Sequence, residues 1–220
     1  MLLSMNVIEL FSSIDGEGKR QGFLTTFLRL HDCNIRCSYC DTLYSYGPES
    51  TFESMSVQAV ADAIEQLGNH RITITGGEPL LQEPAIIELI DELTRRNARY
   101  DFNIETNGTI IPSFHRDNVW FTYDYKTPSS LVEEAMNLDI FKVATPADII
   151  KFVVGSMQDL DRMDEILKTY PTDAQIFVSP VWGNIEGATI VDYMKAHDWQ
   201  NVRFQLQIHK FIWDPDAKGV

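Results

Sequence analysis

Basic residues are in short supply. Across 220 residues, 18 Lys and Arg stand against 32 Asp and Glu, a formal net charge of −14. A protein that holds nucleic acid by neutralising phosphates needs a basic face, so no nucleic-acid partner is expected. No run of about 18 apolar residues occurs, so no segment is expected to span a membrane. The opening MLLSMNVIEL lacks a basic n-region, a long apolar core and a small-residue cleavage site, which points to a cytoplasmic protein. Low-complexity tracts, Pro-rich linkers and repeats are absent, so residues 1–220 are expected to form a single domain with a core of its own. Cysteine is scarce as well. There are three, an odd number, which excludes a paired disulfide framework. All lie between Cys33 and Cys40, and in a reducing compartment clustered thiols bind metal or do chemistry.

What is present is an alternation of strand and helix patterns, the mark of α/β units around a parallel sheet. Strands are expected at Phe23–His31, Arg71–Thr75, Tyr100–Thr106, Val119–Tyr125, Asp148–Val154, Gln175–Ser179 and Val202–Ile208. Helices are expected at Ser56–Leu67, Pro84–Ala98, Ser129–Met136, Gln158–Tyr170 and Ala188–His197, with Ser56 and Ser129 as N-caps.

Strand side chains alternate faces with period two. In the first strand, Leu24, Leu28 and Leu30 oppose Thr25, Phe27, Arg29 and His31. In later strands Ile72 and Ile74 oppose Thr73 and Thr75, and Phe102 and Ile104 oppose Asn103, Glu105 and Asn107. Phe121, Tyr123 and Tyr125 oppose Thr122, Asp124 and Lys126. The apolar face must meet the helices. A half-solvated antiparallel sheet would also show this pattern, but strands joined by helical crossovers are usually parallel and covered on both faces. The reading is therefore an α/β protein, a shortened, incomplete (β/α) barrel with a polar interior, since a full eight-unit barrel takes about 250 residues. Sites in such barrels form at the C-terminal strand ends, where Arg29, Thr75, Glu105, Asn107, Lys126 and Ser179 fall.

The first strand runs into a loop, residues 31–42, that carries Cys33, Cys37 and Cys40 at the spacing C-x3-C-x2-C. A structural zinc ion normally takes four ligands, and no second pair exists here. A cubane iron–sulfur cluster also normally takes four cysteines, so three would leave one iron open for chemistry. A zinc loop or three unrelated thiols is the bland alternative. One unit later, Ile72–Leu81 reads as a strand ending in Gly76-Gly77-Glu78-Pro79, then a helix start. Glycines there allow close backbone approach, and free amides at a helix start suit an anionic group.

The cysteine loop, with Tyr39 before its last Cys, resembles the signature of the radical S-adenosylmethionine superfamily, and Gly76-Gly77-Glu78-Pro79 resembles its second motif. The resemblance implies a [4Fe-4S] cluster on the three cysteines and S-adenosylmethionine on the open iron, with the glycine motif holding its methionyl part. It implies the radical SAM type of partial barrel.

Further features resemble one family, the 7-carboxy-7-deazaguanine synthases, nearly end to end. Ile14-Asp15-Gly16-Glu17-Gly18 resembles a substrate loop, with Asp15 where the family has Gln. Read alone, Gly16 and Gly18 suggest a dinucleotide loop, but the next glycine, Gly22, has the wrong spacing. The resemblance implies that Ile14, Asp15, Gly16, Glu17, Arg29, Thr75, His209 and Val220 contact a pterin substrate, with Arg29 clamping its carboxylate. Cys40-Asp41-Thr42 implies Mg²⁺ on Thr42. Tyr39, Gly76, Gly77, Glu78, Glu105, Asn107, Asp124, Lys126, Ser179 and Trp182 are implied on the S-adenosylmethionine side. Asp124-Tyr125-Lys126 stands where many members read Ser-Pro-Lys. Residues 200–220 are implied as a closing segment.

The implied reaction is a radical ring contraction of 6-carboxy-5,6,7,8-tetrahydropterin to 7-carboxy-7-deazaguanine with loss of ammonia, in queuosine and 7-deazapurine biosynthesis. It carries with it an electron donor such as flavodoxin or ferredoxin, and a homodimer. Two alternatives stay open: a radical activase acting on a partner protein, and a non-catalytic metal-binding module.

Overall fold

The computed structural model describes residues 3–220; residues 1 and 2 of the expected single-domain span lie outside the described residues. Among the described residues, nine strands form one sheet. They are β1 (Ser4–Ile14), β2 (Leu24–Leu30), β3 (Glu53–Ser56), β4 (Arg71–Gly76), β5 (Asp101–Thr106), β6 (Val119–Lys126), β7 (Ile149–Val154), β8 (Gln175–Pro180) and β9 (Val202–Phe204). Their order is β3-β1-β2-β4-β5-β6-β7-β8-β9. From β2 through β9 every pairing is parallel, while β1 lies antiparallel on β2 and β3 antiparallel on β1. No pairing joins β9 to β3 among the described residues, so the barrel is incomplete, as expected.

Helices α1 (Val57–Leu67), α2 (Glu83–Arg96), α3 (Ile140–Val143), α4 (Met157–Thr169), α5 (Gly187–Ala196) and α6 (His209–Ile212) complete the chain. The expected cap holds at α1: the Ser56 hydroxyl accepts from Ala59 N at 3.2 Å, and Gly68 ends the helix in the left-handed region. Val57, Val60, Ala61 and Ile64 then fall on one buried stripe. That stripe and its counterpart on α2 belong to the same core as Leu28, Leu30, Ile72, Ile74, Phe102 and Ile104, all with no exposed surface. The outer sheet face is thus apolar, and the polar residues of the same strands point inward.

Three expectations need correction. The segment Ser129–Met136 is not a helix. It forms two 3₁₀ turns, Pro128–Ser130 and Glu133–Ala135, separated by Leu131 at φ 62°, a conformation no helix continues through. Ser129 is no N-cap; its own amide donates to Asp159 Oδ1 at 2.9 Å. The last strand stops at Phe204 rather than Ile208: Gln205 N still donates to Val178 O of β8 at 2.9 Å, but its side chain and the residues after it turn to the loop before β2. Gln205 brackets Gly18, accepting from its amide at 2.7 Å and donating to its carbonyl at 2.8 Å, and Ile208 N donates to Gly16 O at 3.0 Å. These bonds bridge the open edge of the sheet. Finally, β1 and β3 were not expected; both are antiparallel additions outside the βα units, where no helix spacing announces them.

Candidate active site

A cavity of about 600 Å³ opens at the C-terminal ends of the parallel strands. That is the size of an ordinary small-molecule site. Cys33, Cys37 and Cys40 line it, all unpaired and half-buried. The loop carrying them is tied down at several points. Asp32 accepts from Cys33 N through Oδ1 at 2.8 Å, and Asp32 O accepts from Glu78 N at 2.8 Å. Arg36 folds back to donate to the Cys33 and Ile35 carbonyls, and Ser38 bonds to Ser129 and Ser130. Burial, with the charges of Asp124 and the other two cysteines, pushes the Cys37 thiol up to about 11 despite Lys126 nearby. A bound metal reverses this, because a coordinating thiol is deprotonated outright.

The donor set fits an iron–sulfur cluster. Three soft thiols share one cavity wall, and the Asn107 amide donates to Cys33 Sγ at 3.7 Å, a contact that supports a thiolate. No three His, Cys, Asp or Glu side chains among the described residues converge as ligands of a single ion. Thiolates on a cubane each bind a different iron and so stand farther apart than the ligands of one ion. Beside Cys40, the Thr42 hydroxyl and Asp41 carboxylate present hard oxygens 2.8 Å apart to the same cavity, the donor type Mg²⁺ takes.

The glycine pair packs β4 against this loop. A Cβ at Gly77 would lie 2.0 Å from Asp32 O and 2.8 Å from the Cys33 Cβ, so only glycine fits. Glu78, implied as a cofactor contact, is not on the cavity wall. It is wholly buried: Oε1 accepts from Leu80 N and Thr106 Oγ1, both at 2.9 Å, and Oε2 from Asn107 N at 2.7 Å. Both oxygens are used by the protein, so Glu78 acts on the site through Asn107. Ser179 also falls short of the wall. Its hydroxyl is buried with no partner among the described residues, while Val153 and Val181 line the cavity.

The interior is polar, as strand parity implies. Thr75, Glu105, Thr122, Asp124, Lys126 and Lys151 all line the cavity. Lys126 Nζ donates to Asp124 Oδ2 at 2.7 Å. Burial opposes the Lys126 charge, yet Asp124 raises its pKa above the ordinary lysine range. Lys151 Nζ donates to Glu17 Oε1 at 2.7 Å and is held charged by Glu17, Asp124 and Glu105 in the same way. Burial, reinforced by Glu17 and Asp15 and opposed by Lys151, pushes Glu105 up to about 7.

Arg29 also lines the cavity; its Nε donates to Glu9 Oε1 at 2.6 Å, and Tyr44 OH donates to the same oxygen at 2.7 Å. The Nη groups of Arg29 find no partner among the described residues, which leaves one edge of the guanidinium fork available to a carboxylate. Phe11 and Phe27 stack at 5.2 Å beside it. The Asp15 carboxylate borders the cavity but is engaged from below. Oδ2 accepts from Arg20 Nε and Thr25 Oγ1, both at 2.9 Å, and Oδ1 from Thr73 Oγ1 at 3.1 Å. Arg20 also pairs with Asp101, so Asp15 and Arg20 form a floor to the barrel. His209 lies against Gly16, and Trp182, packed edge-on against Phe211, stands at the rim. The tail from Pro215 to Val220 closes over one side.

The remaining implied residues, Ile14, Tyr39, Gly76 and Asn107, also line the cavity. Sequence reasoning missed Lys151, Glu9 and Tyr44. A lysine between Ile150 and Phe152 in an otherwise apolar strand was the available signal for the first. Glu9 had none, since β1 itself was not expected.

Comparison with known proteins agrees with this geometry. The family model of the Radical SAM superfamily matches residues 29–140. The chain is 38% identical over 223 residues to a 7-carboxy-7-deazaguanine synthase of Clostridium acetobutylicum, covering 99% of this chain and 100% of that protein. It is 37% identical to the corresponding synthase of Methanospirillum hungatei, over 96% of this chain and 86% of that one. For Leptospira interrogans the identity is 35%, over 99% of each. The crystal structure of QueE from Escherichia coli has the same fold, with a TM-score of 0.69 at 24% identity over 92% of this chain and 93% of that one. The three cysteines, the glycine turn packed on them and the full-length likeness together place the chain in the 7-carboxy-7-deazaguanine synthase family of the radical SAM superfamily.

Proposed function

We propose that the chain converts 6-carboxy-5,6,7,8-tetrahydropterin to 7-carboxy-7-deazaguanine with loss of ammonia, in queuosine and 7-deazapurine biosynthesis. One observation carries this reading beyond the family name. A single cavity is lined both by the three cysteines and by Arg29, whose guanidinium keeps a free edge. The [4Fe-4S] cluster and S-adenosylmethionine, when bound, supply the electron transfer and the hydrogen-abstracting radical.

The chain's own part is positioning. Cys33, Cys37 and Cys40 are the cluster ligands, steadied by the Asn107 amide. Gly76, Gly77, Tyr39, Asn107, Asp124, Lys126 and Trp182 surround the S-adenosylmethionine side. Arg29 receives the pterin carboxylate as a fork, and Thr42 holds Mg²⁺ next to it. Glu17 accepts from the donor edge of the pterin ring, with Ile14, Gly16, Thr75 and His209 around it and Val220 closing the mouth. The stacked Phe11 and Phe27 and the closing segment keep water from the reacting carbon.

A radical activase shares the cysteine loop, but a protein substrate leaves the Arg29 clamp without a role. A flavodoxin or ferredoxin as electron donor, a homodimer and a cytoplasmic location complete the proposal. No helix among the described residues is long and apolar enough to cross a membrane.

The test is anaerobic reconstitution with iron, sulfide, reductant, Mg²⁺, S-adenosylmethionine and the carboxytetrahydropterin. Formation of 7-carboxy-7-deazaguanine supports the reading. A preparation that cleaves S-adenosylmethionine without forming it overturns the substrate assignment.

A further inference from the structure

Lys151 has no counterpart among the residues that motif or resemblance assigns. It stands on β7 in register with Asp124 on β6, so both side chains project to the same face of parallel neighbours. It is 6% exposed and faces the cavity. An ammonium carries three donors. Among the described residues only Glu17 Oε1 takes one, at 2.7 Å. Across from it, Asp124 Oδ2 accepts from Lys126 at 2.7 Å, and among the described residues its buried Oδ1 has no partner. A lysine with spare donors and a carboxylate with a spare acceptor thus stand on adjacent residues of paired strands. On one side lies Glu17, in the loop read as the pterin contact. On the other lies Asp124–Lys126, read as part of the S-adenosylmethionine subsite.

We infer that Lys151 is a positioning residue that couples the two halves of the site, moving from Glu17 toward Asp124 Oδ1 when a pterin engages Glu17. The inference rests on the proposed function for the identity of the two ligands. The physical reason is hydrogen-bond satisfaction in a dry interior, where a polar atom left without a partner is costly. Glu17 and Asp124 both lie within electrostatic reach of the same ammonium, so its move changes which carboxylate oxygen it satisfies rather than removing a counter-charge. A pterin ring edge offers its own N–H donors to that carboxylate and releases the ammonium to the nearest unsatisfied acceptor. Fixing Asp124 in this way fixes Lys126, and with it the wall that S-adenosylmethionine meets. A cation with two alternative partners is a two-state element that both ligands bias, as coupling requires.

The test uses binding alone. The cluster is reconstituted and left oxidised, so that S-adenosylmethionine is not cleaved, and 6-carboxypterin, already aromatic at the reacting carbon, is the substrate probe. The dissociation constant for S-adenosylmethionine is measured by anaerobic calorimetry with and without saturating probe, and the reciprocal pair is measured for the probe. Wild-type protein should bind each ligand about fivefold or more tightly in the presence of the other. In Lys151→Met the factor should fall to one, and Lys151→Arg should recover part of it. The cluster absorption spectrum and iron content are checked to be those of wild type. If Lys151→Met weakens each ligand separately but keeps the coupling factor, or if wild type shows no coupling, the inference is overturned. If wild type binds S-adenosylmethionine but no 6-carboxypterin at all, the proposed substrate class fails together with it.

Discussion

The Glu78 carboxylate and the Asn107 backbone amide meet at 2.7 Å where the ends of β4 and β5 come together. Asn107 in turn donates through Nδ2 to Cys33 Sγ at 3.7 Å. Glu78 therefore reaches Cys33 through Asn107, while Gly76 and Gly77 of the same motif line the cavity. Replacing Glu78 with Gln puts an amide donor against either Leu80 N or Asn107 N, whichever way it turns. Leaving a buried group unsatisfied costs about 1–3 kcal/mol. Urea unfolding of the apoprotein should show a loss in that range, and iron content after reconstitution should drop. Unchanged values for both would remove Glu78 from its positioning role.

Glu105 sets a pH dependence. Its folded-state pKa of about 7 lies above the usual 4.5, chiefly through burial and then through the charges of Glu17 and Asp15. The folded protein therefore binds more protons than the unfolded chain between those values. The stabilising contribution is fully present below 4.5 and is lost as pH rises through about 7. Relative to Glu105→Gln, wild-type apoprotein should lose at most about 3 kcal/mol of unfolding free energy across that window. Parallel pH profiles for the two proteins would rule the shift out.

At Gly16, an added Cβ would lie 1.9 Å from His209 Nδ1. Gly16→Ala should push His209 and the closing segment out of place while leaving the cysteine loop intact. The expected result is a rise of about tenfold in KM for the pterin, equivalent to about 1.4 kcal/mol. The dissociation constant for S-adenosylmethionine should stay within about twofold. Loss of iron binding would show that the substitution reaches further than the substrate wall.

Arg29→Lys keeps a positive charge beside Glu9 but removes the fork. A charge-assisted hydrogen bond is worth about 1.5–3 kcal/mol, so pterin affinity should fall about tenfold to a hundredfold. A pterin lacking the 6-carboxylate should bind wild type and variant equally. If the variant weakens both ligands alike, Arg29 supports the wall and does not clamp the carboxylate.

Thr42→Val removes one hard oxygen from the site beside Cys40. Activity should then require more Mg²⁺ for half-saturation, while iron content remains that of wild type. Chelation of Mg²⁺ from wild type should lower activity in the same direction. A Mg²⁺ titration that superimposes for the two proteins would reject Thr42 as a ligand.

Much of this was legible in local sequence. The spacing of Cys33, Cys37 and Cys40 lies within one loop, and Gly76-Gly77 within one turn. The inward placement of Arg29, Glu105, Asp124 and Lys126 follows from alternation along single strands. These are short-range properties that a chain carries into any context. The helix expected at Ser129–Met136 failed because tertiary bonds from Ser38 and Asp159 hold that segment in turns. The strands β1 and β3 went unread because an antiparallel edge has no crossover to announce it.

Sequence alone determined the grouping of Cys33, Cys37 and Cys40 on one loop, the parallel core and the polar interior. Only the tertiary structure decided which charges meet there. It pairs Lys151 with Glu17 across 134 residues of chain, Arg29 with Glu9, and Glu78 with Asn107, and it turns Asp15 into part of a floor with Arg20. Strand period states which face a side chain takes. The partner across a barrel depends on sheet order and register, and those are set by the packing of the whole chain.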